Sequence, residues 1–454
     1  MNYIIKNAKI VNEGSITESP LLLKDGRISY DTEGCPDAEP IDATGCYLIP
    51  GVIDTHVHFR DGGDGTNPAG DFYTESRAAV AGGTTSVVDM PNTIPQTTTI
   101  EALEIKEHMA AAKSAVNYGF MVGATNDNID WLLSLEPTRY AAIKLFLGSS
   151  TGNMLVNDDS KLERLFKDAR KLIVAHCEEE TVVQANLRNF KLEYQGTDKE
   201  TAALHPQIRN TEACYLSTYK AIERARRLNS RLHIAHLSTA TELNLLSNKP
   251  LEEKNITAEV TPNHLWFDDR DYVQLGNKIK CNPAIKSNDD RLALWAALYD
   301  GLIDTIGTDH APHPLQAKQK PYFDAPSGIP SIQHSLQMMM EPFFNPESKD
   351  DREAINTWMP LLVEKLCHNP ATLFGIAERG YIREGYWGDI VLLKEEPLPH
   401  PITKDNLLYK CGWSPLEGET LHCRIEKVFV NGLLAAQTGK PTDTRAAQQL
   451  IFNN

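Results

Sequence analysis

Two histidines one residue apart close an apolar stretch in the text His56-Val57-His58-Phe59-Arg60. If that stretch is a strand, its side chains alternate between faces, so His56 and His58 point the same way and can converge on one metal ion. An isolated His-x-His says little, because satisfied or exposed histidines are common. Here three more polar residues stand at equivalent places: His176 closes KLIVAHC, His236 closes RLHIAHL and Asp309 closes LIDTIGTD. Together they form a constellation that chance rarely supplies. Imidazole and carboxylate donors of this kind suit zinc and its neighbours in the transition series.

Lys144 lies inside AAIKLFLG, on a stretch that should be buried. A buried, unpaired ammonium is costly and its pKa moves down. Either its stem packs while its head reaches the mouth of the fold, or the neutral amine takes up carbon dioxide as a carbamate. The carbamate is carboxylate-like and able to bridge two metals. Cys177 and His233 fall on the opposite strand faces from their neighbours and read as core groups. His205, ahead of a proline, reads as a structural loop residue. Glu178–Glu180 read as a solvated helix start, favoured by the positive end of the helix dipole.

These residues need elements to hold them. Eight short β-branched runs alternate with helical text: Val52–Phe59, Thr84–Met90, Asn117–Val122, Ala142–Phe146, Lys171–His176, Arg231–His236, Asn255–Val260 and Leu302–Thr308. This is the rhythm of a parallel sheet, and eight such strands fit a (β/α)8 barrel with its chemistry at the strands' C-terminal ends. An open doubly wound sheet is disfavoured, since no G-x-G-x-x-G follows the first strand. Short β pieces at both ends (YIIKNAKIV, SPLLLKDGRISY, DIVLLKE, HCRIEKVFVNG), with turns at Gly26 and Gly45, predict one small composite β domain. The expected division is 1–48 plus 380–454 for that domain and 49–379 for the barrel.

The chain has 454 residues, 45 basic against 61 acidic, for a net charge of −16. Nucleic acid is therefore not an expected partner, and an anionic small-molecule substrate would need its own local cations. The eight cysteines lie scattered with no C-x-x-C pair, which suits reducing cytoplasm. No run approaches the ~18 apolar residues of a membrane span. A homodimer is the base-rate expectation for an enzyme.

The set HVHFRDGG, MPNTIP, IKLFLG, VAHCEE, IAHLST and GTDHAPH resembles the amidohydrolase superfamily, and within it the dihydroorotases. The resemblance runs from about Leu48 to the GDIVLL strand. It implies two divalent metal ions, expected to be zinc, with His56 and His58 on the first and His176 and His236 on the second. Carboxylated Lys144 would bridge them. Asp309 would complete the first metal's shell and act as the proton shuttle. Arg60, Asn92, Asn282 and His313 match substrate-binding positions, and backbone around Ala325–Gly328 would close over the ring. The implied reaction is the reversible cyclisation of N-carbamoyl-L-aspartate to dihydroorotate in pyrimidine biosynthesis, through a metal-bridging hydroxide.

The chain departs from the family's pattern at Asp61-Gly62-Gly63, at Asn263 before His264, and at Lys286 where some members carry Arg. An Asp bridges the metals in some members, which leaves Asp158 and Asp159 as alternatives to Lys144. Rival readings are a hydantoinase/dihydropyrimidinase or allantoinase type of cyclic amidohydrolase, and a non-catalytic partner protein on the same fold.

Overall fold

Eight parallel strands form the centre of the computed structural model, which describes residues 1–63, 65–148, 154–345 and 352–453. They are β1 (Val52–Val57), β2 (Thr84–Asp89), β3 (Asn117–Phe120, continued as Val122–Gly123), β4 (Ile143–Phe146), β5 (Ile173–His176), β6 (Leu232–Ile234), β7 (Ile256–Val260) and β8 (Thr305–Ile306). Each pairs in parallel with the next in sequence. The ring closes where His58 N donates to His310 O at 2.8 Å and Val57 bridges His310 in parallel. All eight predicted strands are present, with ends trimmed by a few residues.

Helices return the chain between strands, and their starts follow from capping side chains. Asp71, Thr99, Asn210 and Ser287 each accept a hydrogen bond from a first-turn N–H, opening Phe72–Ala81, Ile100–Lys113, Thr211–Leu228 and Asn288–Tyr299. Among the described residues no helix is long and apolar enough to cross a membrane.

The two ends of the chain build a separate β domain. A seven-stranded sheet takes Lys9–Asn12, Ser15–Glu18 and Tyr47–Pro50 from the N-terminal side and Ile390–Glu395, Cys423–Val430, Leu433–Gln437 and Lys440–Pro441 from the C-terminal side. The seam is antiparallel, Leu48 opposite Leu392 and Ile49 opposite Val391. Strand alternation then divides the labour. Leu48, Ile390, Leu392 and Phe429 face the core of the small domain. Ile49, Val391, Leu393 and Val428 face the barrel's helices and join its core.

YIIKNAKIV forms the pair of short strands expected of it. Asn7 takes a left-handed backbone (φ 64°), so Tyr3–Lys6 joins a second, four-stranded sheet while Lys9–Asn12 joins the larger one. That smaller sheet is built wholly from N-terminal strands. At the other end, Leu450 and Phe452 leave the sheets and pack beneath the barrel against Ile53, Val88, Met121 and Val174.

Asp389 locks the seam to the barrel. It pairs with Arg379, accepts from Asn117 Nδ2 of β3 at 3.1 Å, and accepts from Asn431 N at 2.7 Å. Both ion-pair partners are buried, so removing one strands a charge. Asp389→Ala should lower the unfolding free energy by about 3–5 kcal/mol in urea titrations, whereas Asp443→Ala, at a fully exposed carboxylate, should leave it unchanged.

Candidate active site

The C-terminal ends of the strands converge on one pocket. It is lined by His56, His58, Arg60, Asn92, Lys144, Phe146, His176, His236, Asn282, Asp309, Ala311, Ser327 and Gly328. Of the residues anticipated from sequence, His313 alone stands outside that lining. It lies just behind, its Nε2 donating to Ser327 O at 2.9 Å.

Local backbone explains how strand ends present these groups. Arg60, His236 and Asp309 all adopt positive φ (62°, 38° and 48°), uncommon for residues with a Cβ. Each turns the chain sharply as its strand ends, so the side chain faces the barrel axis. Such conformations cost on the order of 1–3 kcal/mol each and collect at functional sites. Asp54, one turn of the pleat below His56, holds the eighth strand in register. Its carboxylate accepts from Thr308 Oγ1 at 2.5 Å and from the backbone N of both His56 and Thr308 at 3.1 Å. Burial raises its pKa to about 6.

Two groups of donors face each other. Asp309 Oδ1 lies 3.0 Å from His58 Nε2 and 3.3 Å from His56 Nε2. His176 Nδ1 lies 3.0 Å from His236 Nε2. His56, His236 and Asp309 offer ligand atoms all within 4.8 Å of one another, a group able to hold a metal ion. Burial lowers His58 to about 4, and His176 and His236 also fall below the ordinary value. Neutral imidazoles have a lone pair to give. Burial alone would raise the Asp309 carboxyl, but His56, His58 and Lys144 outweigh it and hold the group ionised. A set of neutral imidazoles and one carboxylate is the donor chemistry of a transition-metal site.

Lys144 Nζ is buried beside these groups and has no hydrogen-bond partner. Burial lowers its pKa to about 8, against the attraction of Glu259 and Asp309. Asp158 and Asp159 are not alternatives at this position. Asp158 caps the helix Asp159–Asp168, and Asp159 is solvent-exposed and paired with Arg224.

Two acidic residues of the site escaped the sequence reading. Glu178 is not a solvated helix residue: it is fully buried, accepts from His176 Nε2 at 3.0 Å and pairs with Arg209. Only Glu179 and Glu180 begin the helix. Glu259, on β7, accepts from His56 Nδ1 at 2.6 Å. These carboxylates fix the tautomers. His56 carries its proton on Nδ1 and His176 on Nε2, which leaves His56 Nε2 and His176 Nδ1 bare toward the pocket. His205, expected in a loop, opens the short helix His205–Ile208 and is satisfied by Tyr322 Oη and Cys281 O. His233 bonds Thr257 and Cys177 is a buried thiol, both as expected of core groups.

Arg60 faces the pocket with its Nε unpartnered. Asp61 does not pair with it, bonding Lys113 Nζ at 2.9 Å and Phe72 N at 3.1 Å instead. Asp64, the other partner considered for Arg60, lies outside the described residues. The Oδ1 atoms of Asn92 and Asn282 also lack partners.

A family model described as the amidohydrolase family matches residues 47–434. A dihydroorotase of Methanosarcina acetivorans is 32% identical over 431 residues, covering 91% of this chain and 88% of the relative. An L-hydantoinase of Paenarthrobacter aurescens is 28% identical over 448 residues, covering 96% and 95%. The solved structure of the L-hydantoinase (dihydropyrimidinase) from Arthrobacter aurescens superposes with a TM-score of 0.90 at 27% identity, covering 99% of each chain.

Support of His56 by Glu259 is testable without an assay of turnover. Glu259→Gln keeps the shape of the side chain and removes its charge. It should weaken metal binding about 10–100-fold in chelator competition, with the melting profile of the metal-free protein retained. Unchanged metal affinity would show that Glu259 does not orient the ligand.

Proposed function

The chain belongs to the amidohydrolase family as a hydrolase acting on cyclic amides, and from that premise we propose that its ring substrate carries a carboxylate, dihydroorotate being the ring that fits. The observation behind this is Arg60. A guanidinium at the pocket whose Nε is buried and which, among the described residues, has no paired carboxylate is expensive, and a substrate carboxylate would match its planar fork bidentately. The free amide oxygens of Asn92 and Asn282 are suited to accept ring N–H groups.

A second reading, the hydantoinase/dihydropyrimidinase type, has the stronger backing from the comparisons, in the full-length likeness to an L-hydantoinase. A neutral ring would leave Arg60 without a counter-charge.

For the metal site we propose two divalent ions, zinc by donor type. His56, His58 and Asp309 would hold one, and His176 and His236 the other. Lys144 would lie between them as its carbamate: its neutral amine forms an N–C bond to carbon dioxide and loses one proton. Divalent ions bound there supply Lewis acidity, acidifying a water and polarising a carbonyl. Asp309, ionised and beside His56 and His58, would take the proton of the attacking water and return it to the departing amide nitrogen. In ring closure the same residue moves the proton the other way.

Two measurements test this. Arg60→Ala should raise KM for dihydroorotate about 10–100-fold, the equivalent of a lost charge-assisted hydrogen bond, and change KM for hydantoin or dihydrouracil far less. Should the wild type open the neutral rings and ignore dihydroorotate, the second reading takes over. Lys144→Ala should lose bound metal, and protein equilibrated with ¹³C-labelled carbon dioxide should give a carbamate signal that this variant lacks. An unmodified amine in metal-loaded crystals would remove the bridge.

A further inference from the structure

Two buried lysines outside the metal cluster hold a loop of the pocket by its carbonyl groups. Lys280 Nζ donates to Tyr322 O at 2.7 Å and Ala325 O at 2.6 Å. Lys318 Nζ donates to Pro326 O and Gly328 O, both at 2.9 Å, and to Lys280 O at 3.0 Å. Lys280 Nζ also sits 4.3 Å from the centroid of the Tyr322 ring. The two side chains are buried, and no carboxylate is among their hydrogen-bond partners. Burial lowers Lys280 to about 8 and Lys318 to about 7.

An ammonium has three donors and no acceptor. It can gather carbonyl oxygens that would otherwise repel one another, and here all the gathered carbonyls but Lys280 O belong to one loop. The consequence follows from the planar trans peptide, in which a carbonyl and the next N–H point in opposite directions. With Pro326 O drawn back to Lys318, the Ser327 N–H faces the other way. Ser327 lines the pocket, and among the described residues its N–H meets no acceptor. Its neighbours are fixed on both sides. Ser327 O accepts from His313, and Gly328 N donates to Lys280 O at 2.9 Å. Gly328 cannot be replaced freely, since its φ is +141° and a Cβ there would lie 2.3 Å from Ala311 O.

We infer that Lys318, with Lys280 behind it, is a positioning residue that turns the Ser327 N–H into the pocket as a donor to a carbonyl oxygen of the bound ring. This rests on the pocket being the ring site and not on which ring it takes. The donor would act on ground state and transition state alike, so its loss should appear in KM and not in kcat. His313 would support substrate binding through Ser327 as well.

The test uses the metal-loaded protein with whichever of dihydroorotate or hydantoin the wild type opens. Lys318→Met keeps the apolar stem and removes the ammonium. It should raise KM about three- to tenfold, the equivalent of one neutral hydrogen bond, with kcat and metal content held. A folded, metal-loaded variant with wild-type KM overturns the proposal. Hydrogen exchange on the wild-type protein tests the same point without any variant. The Ser327 amide should exchange freely in the empty protein and slow when the reaction mixture at equilibrium keeps the site filled. An amide already protected, or indifferent to ligand, also overturns the proposal. A wild type that opens neither ring sinks the ring-site reading itself, a result distinct from a wild-type KM in the variant.

Discussion

The hydrogen bond of 2.6 Å between His56 Nδ1 and Glu259 is the tie on which the site's geometry depends. It crosses from the first barrel strand to the seventh and sets which nitrogen of His56 faces the pocket. The same carboxylate accepts from His236 N at 3.3 Å, reaching the end of the sixth strand. Its other oxygen occupies space that only a glycine leaves free: a Cβ at position 307 would lie 2.3 Å from Glu259 Oε2. One buried side chain thus fixes the His56 ring, the backbone of His236 and the approach of the eighth strand, which leads to Asp309. Buried networks of this kind are costly when half-satisfied and specify a unique arrangement when complete.

Charge is distributed against the average. The protein is acidic overall, with a net charge of −16, yet Arg60, Lys280 and Lys318 stand around the pocket with no carboxylate hydrogen-bonded to them among the described residues. The burial of Lys280 and Lys318, and of the Arg60 Nε, shields them from solvent screening, so positive groups weigh more locally than a distant acidic surface. Burial also lowers the pKa of His58, His176 and His236.

The barrel, the composite β domain and the polar strand ends were legible in the sequence because each depends on a local pattern. Apolar runs of strand length ending in His, His or Asp need no knowledge of distant partners. Glu178 was not legible, because three glutamates ahead of a helical stretch read as an exposed first turn. Its burial depends on Arg209, which arrives from 31 residues away. Glu259 was hidden for a related reason: one acidic residue in an alternating strand says nothing about which face is lumen. Lys280 and Lys318 sit in text that reads as surface, and their partners are main-chain carbonyls, which leave no trace in sequence. The division of YIIKNAKIV into two sheets was not legible, because it depends on Asn7 adopting a left-handed backbone that Asn tolerates better than most residues.

The seam between Tyr47–Pro50 and Ile390–Glu395, and the tail tucked beneath the barrel at Phe452, have a consequence for how the chain is made. A ribosome delivers residues in order, so Leu48 and Ile49 emerge more than three hundred residues before Leu392 and Val391 can cover them. Through most of synthesis the first half of that sheet offers an unpaired edge and two apolar faces. Closing so long a loop is slow because its entropy must be lost before the contact returns anything. The nascent chain therefore spends its longest wait with its stickiest edge uncovered, the condition in which chaperones find their clients.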